Sequence, residues 1–126
     1  MADSDSITVQ MYEILDEVSD RVKGVMKTSI KEVAKETAKK LRSVSPKGAT
    51  GSYAKGWKAG ARKDGDYVVH NATDYQLTHL LENGHVVRNK YGTYGRAPAQ
   101  VHIKPVEEWA NDEVVNRITE ELNGNL

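Results

Sequence analysis

Apolar residues recur along the first third of the chain at helical spacing. Met11, Leu15, Val18, Val22 and Val25 follow one another at alternating steps of four and three, and the stripe continues through Ile30, Val33, Thr37 and Leu41. Such a stripe lies on one side of an α-helix and drifts slowly around it, as a period nearer 3.6 than 3.5 requires. The pattern predicts one long helix over residues 7–43, with Ser6 at its N-cap. Gly24 sits in mid-stripe, where a glycine costs about 1 kcal/mol relative to alanine and invites a kink or a close crossing. A rod of this length is about 50 Å long, longer than a domain of this size is wide. Part of it is therefore expected to pack on another copy.

The period then changes. Residues 44–52 form a turn-rich linker in which Pro46 blocks continuation of the helix. Its Gly48-Ala-Thr-Gly51 lacks the spacing and the Gly-Lys-Ser/Thr ending of a phosphate loop. From Tyr53 to Ala61 the residues alternate, with Tyr53, Trp57, Ala59 and Ala61 on one face. Asp64-Gly65 is a two-residue turn signal and Tyr67–Asn71 returns, so residues 53–72 read as a β-hairpin. Thr73 and Gln76 have the spacing of a capping box for a short helix over 73–84. Leu77, Leu80 and Leu81 lie on one side of that helix, and Gly84 terminates it. Residues 85–104 read as strands around a mobile loop, Asn89–Gln100, with Val101-His-Ile103 as a short strand. Pro105 opens a C-terminal helix over 105–123, striped by Val106, Trp109, Ala110, Val114, Ile118 and Leu122. The expected architecture is a single α+β domain spanning 1–126: a long N-terminal helix, a small antiparallel sheet of three to four strands with a hairpin, a short central helix and a C-terminal helix.

Composition narrows the class. The chain has 126 residues, zero net charge and 38% hydrophobic residues, which describes a soluble globular chain, and no apolar run approaches the length of a bilayer span. The acidic, polar start Met1-Ala-Asp-Ser-Asp-Ser is the opposite of a leader peptide. Without cysteine there are no disulfides or thiolate metal sites, which fits synthesis in the cytoplasm. Phenylalanine is absent and only two tryptophans and six tyrosines supply aromatic packing, so a monomer's core is thin and an oligomer is favoured. Neutrality also hides asymmetry. Lys39, Lys40, Arg42, Lys47, Lys55, Lys58, Arg62 and Lys63 are unrelieved by any acid between 39 and 63, whereas both ends of the chain are acidic. Such a block faces DNA, pairs with an acidic face of a neighbouring subunit, or is a solvated surface.

The candidate chemistry gathers between Tyr75 and Pro105. His79, Glu82 and His85 are spaced by three, and His102 follows. Two histidines and a carboxylate form a hydrolytic zinc set. A zinc-protease helix, however, needs histidines four apart with a glutamate beside the first, and here Gly84 separates His85 from the helix. Glu82 with His79 or His102 offers acid–base chemistry, but no partnered nucleophile accompanies them. No catalytic residue, metal or cofactor is therefore assigned. The loop Tyr91-Gly-Thr-Tyr-Gly-Arg96 interleaves aromatics with cations as single-strand binders do, and its glycines suit a segment that orders on a partner.

These segments resemble the neck, or tail-completion, proteins of long-tailed bacteriophages, minor structural proteins of the head–tail junction. The resemblance rests on the long helix and on the linker Ser45-Pro-Lys-Gly-Ala-Thr-Gly-Ser-Tyr53 leading to Trp57. It extends to Tyr75 through Leu81-Glu-Asn-Gly-His85, and to Ala97-Pro-Ala-Gln-Val-His-Ile-Lys-Pro-Val-Glu107 running into the last helix. It covers residues 7–122. An extra Gly48-Ala49 in the linker and Val101-His102 in place of Pro-Phe or Pro-His depart from the pattern. The resemblance implies a non-enzymatic virion protein, made in the host bacterial cytoplasm, that forms a homo-oligomeric ring such as a hexamer on the growing particle. Its partners would be itself and other head-completion and tail proteins, with DNA passing transiently and no membrane involved. Glu82, Gly84, His85, Tyr91, Tyr94, Arg96, Pro98, His102 and Pro105 are the expected docking residues, and the basic block is expected to face DNA or a neighbouring subunit. Competing readings are a sequence-independent nucleic-acid-binding module built on the basic block, a metal-dependent hydrolase built on His79, Glu82 and His85, and a helical regulator that dimerises through its first helix.

Overall fold

The computed structural model describes residues 6–9, 20–63, 65–89 and 92–124, with 6–9, 87–89 and 93–94 described through the main chain alone. The elements in order are β1 (Ser6–Val9), α1 (Asp20–Val44), α2 (Ser52–Lys55), β2 (Trp57–Ala61), β3 (Tyr67–Asn71), α3 (Leu77–Asn83), β4 (His85–Asn89), β5 (Gly92–Ala97) and α4 (Ile103–Gly124). The architecture is α+β.

From Ile30 to Leu41 the predicted stripe is what α1 buries, whereas one turn earlier Met26 is buried and the expected Val25 only half-buried. Met26, Ile30, Val33, Ala34, Thr37, Ala38 and Leu41 recur at three and four and are all covered. Thr37 is tolerated there because its hydroxyl donates to the Val33 carbonyl at 2.7 Å. Helix α4 runs antiparallel along α1. Lys40 lies over the Trp109 ring 4.5 Å from its centroid, Arg117 pairs with Glu36, and Met26 and Ile30 pack with Val114 and Ile118. Against α1 also lies a three-stranded antiparallel sheet of order β1-β3-β2, with Trp57 opposite Asn71 and Ala59 opposite Val69. Its inner face places Trp57 and Val69, both fully buried, against Ala34, Ala38 and Leu41, and Tyr53, Ile103 and Val106 complete this core. Trp57 donates its indole N–H to Ser45 Oγ at 2.8 Å, and its carbonyl accepts from Arg42 at 2.7 Å, which ties the linker to the sheet.

Several expected boundaries change. Residues 7–9 are strand, not helix: Ile7-Thr-Val9 is a β-branched run, which prefers a pleated surface to a helix, and it pairs with Val69–Tyr67. The expected turns of the long helix carrying Met11, Leu15 and Val18 lie outside the described residues. Gly24 makes no close crossing among the described residues, where a Cβ would meet nothing within 4 Å. The strand expected from Tyr53 begins only at Trp57, because Ser52–Lys55 closes a helical turn first. The β2–β3 connection is closed by Arg62 N–H to the Asp66 carbonyl at 2.8 Å. It is therefore one residue wider than a two-residue turn, with Gly65 at φ 86°.

Later in the chain, Thr73 does not cap α3, because its hydroxyl donates to the Ser52 carbonyl instead, and the helix starts at Leu77 without a side-chain cap. Leu77 and Leu81 pack on the core as expected, whereas Leu80 is 41% exposed and Thr78 and Glu82 take buried positions. Residues 92–97, expected within a loop, pair as β5 with β4 in a second, two-stranded sheet. Val101–Ile103 is not a strand: α4 starts at Ile103, and the N–H groups of His102 and Ile103 go to a side chain rather than to a neighbouring strand.

Leu41 is fully buried where α1, the sheet and α4 meet. Leu41→Ala is expected to lower stability by about 2–5 kcal/mol, whereas Val115→Ala, at a position 61% exposed on α4, is expected to stay within about 0.5 kcal/mol. Urea unfolding of the two variants checks both values.

Candidate functional site

The segment between α3 and α4 is organised by one carboxylate. Glu82 lies in the last turn of α3 and is nearly fully buried. Its Oε1 accepts the backbone N–H groups of His102 at 2.8 Å and Ile103 at 3.0 Å, and its Oε2 accepts that of Lys104 at 3.0 Å. These are the donors that the first turn of a helix leaves without partners, so Glu82 caps α4 from another element, with its charge at the positive end of the helix dipole. Burial alone would raise the Glu82 pKa. The three N–H groups and the adjacent His102 outweigh burial and hold it below the usual carboxylate value.

His102 is buried beside this cap, its Nδ1 3.1 Å from Glu82 Oε1 and 2.6 Å from the Gln100 carbonyl. A carbonyl only accepts, so Nδ1 carries a proton, and Nε2 is hydrogen-bonded to the Tyr53 hydroxyl at 2.7 Å. Burial, reinforced by the Glu82 charge, raises the Tyr53 pKa and keeps the phenol a donor. Tyr53, His102 and Glu82 thus form a line of tyrosine, imidazole and carboxylate. The carboxylate is taken up by three backbone donors and the phenol is bonded to the imidazole, so this line of bonds ties α2, α3 and the start of α4 together. Trp57 and His102 both pack edge-on against the Tyr53 ring.

Gly84 closes the same junction. At φ 75° it lies where side chains are rarely tolerated, and a Cβ would come within 2.7 Å of the Ala97 carbonyl and 2.9 Å of the Ala99 nitrogen. Gln100 N–H donates to the Leu81 carbonyl at 2.7 Å and Arg96 donates to the Asn83 carbonyl at 3.3 Å. The β4–β5 hairpin therefore leaves and re-enters the body at one point. His85 is half-buried at its root, and Arg96 and Pro98 are exposed on its return. Tyr91 and the Tyr94 side chain lie outside the described residues. Pro105 is exposed in the first turn of α4, where its missing N–H leaves no donor unpaired.

His79 is exposed on α3, so the trio of His79, Glu82 and His85 named in the competing hydrolase reading forms no metal site among the described residues, and Glu82 is engaged by α4 instead. Among the described residues no group of three acidic or histidine side chains stands in metal-holding geometry. The basic block divides. Lys39, Lys40 and Arg42 lie in the last turns of α1, Lys47 in the linker, Lys55 at the end of α2 and Lys58 in β2, with Lys40 over the Trp109 ring, Arg42 on the Trp57 carbonyl and Lys47 on the Arg42 carbonyl. Arg62 and Lys63 follow β2 at its opposite end, where neighbouring Tyr67 packs with Met26 and Ile30.

Two residues of the junction escaped the sequence reading. Asn71, 1% exposed, donates to the Tyr53 carbonyl at 2.7 Å and accepts from Asp74 N–H at 2.9 Å, which ties β3 to α2 and to the approach to α3. Gly56 leaves room for it, since a Cβ there would come within 2.6 Å of Asn71 Oδ1. A lone asparagine ending a strand reads as a turn residue, and only the fold shows what it bonds.

The body and its junction have the character of a structural module. Residues 10–84 match the model of a family described as "Bacteriophage HK97-gp10, putative tail-component". The match spans more than half of the 126 residues, and the chain belongs to this family of phage tail components. No curated protein and no solved structure matches it. Among the described residues no helix is long and apolar enough to cross a membrane.

Glu82→Gln keeps the shape but removes the charge from three donors, and is expected to lower stability by about 2 kcal/mol. Because the folded-state pKa is depressed, the carboxylate's contribution is complete above the unfolded value and is lost as pH falls through the folded one. The variant's stability should therefore fall less steeply in acid than the parent's when both are unfolded in urea across pH 2–6. Gly84→Ala is expected to be more damaging than Gly24→Ala, which meets open space. Thermal melts of the two alanine variants should place Gly84→Ala well below the parent and Gly24→Ala at or above it.

Proposed function

We propose that this tail component acts at the head–tail junction as a neck, or tail-completion, protein, assembling as a homo-oligomeric ring that joins the filled head to the tail. The observation that carries this reading is the β4–β5 hairpin. Its strands pair with each other and with no other described strand, and its root is locked to the body by Gly84 and the Glu82-capped start of α4. An isolated two-stranded hairpin is marginal in water, so a rigidly rooted one is suited to gain its order on a neighbouring virion protein. Strand β2 lies at an edge of the larger sheet among the described strands and adds a second surface to which a strand could be added. Membership of a tail-component family supports a role fulfilled by contacts rather than by turnover.

The test is complementation of a phage lacking this chain. With the parent chain supplied, infectious particles should form. With residues 86–96 replaced by a short Gly-Ser link, in a variant shown by circular dichroism to fold, electron microscopy should show filled heads and separate tails. Particles that join normally without the chain, or virions that lack it, would sink the proposal.

A further inference from the structure

Among the described residues, a groove of about 490 Å³ opens between the first turns of α1 and the last turns of α4. It has the size of a small-molecule site and shares no residue with the Glu82 junction. Asp20 and Glu32 line it from α1, separated along the helix axis by about 18 Å, and Glu120 lines it from α4. Two arginines also reach the lining. Arg117 is bonded to Glu36 and Glu113, which lie outside the groove, and its contact with Glu32 is a longer 3.8 Å. Arg21 is then set against Asp20, Glu32 and Glu120, beside Glu121, which has a contact of its own, while Lys31 and Lys35 are outside the lining.

An acidic lining alone marks no more than a solvated face. Ser29 adds a second feature: it lines the same groove, is 3% exposed, and makes no hydrogen bond among the described residues. Thr37, further along the same helix, turns its hydroxyl back to the Val33 carbonyl, and Ser29 makes no such bond. A hydroxyl withdrawn from water and left without a partner costs stability unless a ligand supplies the partner. Between the charged ends the wall is aliphatic and open, since Val25 is half-buried there and a Cβ at Gly24 would meet nothing within 4 Å.

We infer that this groove binds a linear aliphatic polyamine, with its ammonium groups on Asp20, Glu32 and Glu120, its methylenes along Gly24 and Val25, and one N–H donated to Ser29. Carboxylates spread over about 18 Å of helix and joined by an apolar stretch match a chain of ammonium groups linked by methylenes. A compact cation reaches only one end, and an anion meets like charge at every carboxylate. Each ammonium brings several N–H donors, which carboxylates and a hydroxyl take up as charge-assisted bonds. This site is independent of the head–tail reading, because the ligand lies on the helix pair whatever the hairpin docks against.

Calorimetric titration of the purified full chain with spermidine in physiological salt should show a single site in the micromolar range, with the amide resonances of Gly24, Ser29 and Glu120 shifted most. Butylamine, which carries a lone ammonium, should bind at least about tenfold more weakly. Gly24→Leu fills the open wall without a clash, and should abolish binding while its thermal midpoint stays at or above the parent's. Ser29→Ala should weaken binding about tenfold, and Asp20→Asn with Glu120→Gln should weaken it further, each with an unchanged circular dichroism spectrum. Spermidine should raise the midpoint of the parent and leave that of Gly24→Leu where it was. Neither heat nor shifts at millimolar spermidine, butylamine or magnesium binding as tightly as spermidine, or undiminished binding by the folded Gly24→Leu or Ser29→Ala protein overturns the inference.

Discussion

The Glu82 carboxylate reaches from the last turn of α3 to the N–H groups of His102, Ile103 and Lys104, and so determines where α4 begins. Without such an acceptor the His102 and Ile103 donors would be buried and unpaired, at a penalty of about 1–3 kcal/mol for each unsatisfied group. With it, the position of α3 and the start of α4 become a single constraint. Ile103 and Val106 are then delivered to the core beside Leu41 and Trp57. The same anchoring aligns His102 with Tyr53, so the cap, the helix start and the α2 turn are held by contiguous bonds.

Helix α1 is the other shared element. Its buried stripe contacts the sheet through Trp57 and Val69 and contacts α4 through Val106, Val114 and Ile118. Since the core holds few large side chains, polar residues complete it: Thr37, Asn71 and Thr78 are essentially fully buried, and each has a specific partner. This compensates for the absence of phenylalanine, because the hydrogen bonds of these buried groups also fix the relative positions of the elements that carry them.

The helices were legible in the sequence because their periodicity extends over many residues. The stripe from Ile30 to Leu41 and that from Val106 to Ile118 emerge as the facing sides of α1 and α4. The pairing of Trp57–Ala61 with Tyr67–Asn71 was legible from alternation and the intervening turn. Short-range signals misled where a long-range bond took the residue away. Thr73 has the spacing of a cap, but its hydroxyl is used by Ser52. Glu82 has the spacing of a ligand among histidines, but backbone donors twenty and more residues later claim it. Glycine and tyrosine made residues 92–97 read as loop, and it is pairing with β4 that makes them a strand. Gly84 was recognised as a terminator, yet its deeper constraint is the close passage of Ala97 and Ala99, which no local pattern encodes.

The closure between Leu81 and Gln100 has a consequence for how this fold can diverge. The hydrogen bond between them and the Glu82 cap bring the two ends of the intervening segment together. Everything from residue 85 to 99 is thus a loop whose ends are fixed by the body and not by the loop itself. Lengthening such a loop changes its closure entropy only logarithmically, by about 0.6 kcal/mol for each doubling. The hairpin can therefore gain or lose residues beyond its root, where Gly84 meets Ala97 and Ala99, while the cap and core keep their geometry.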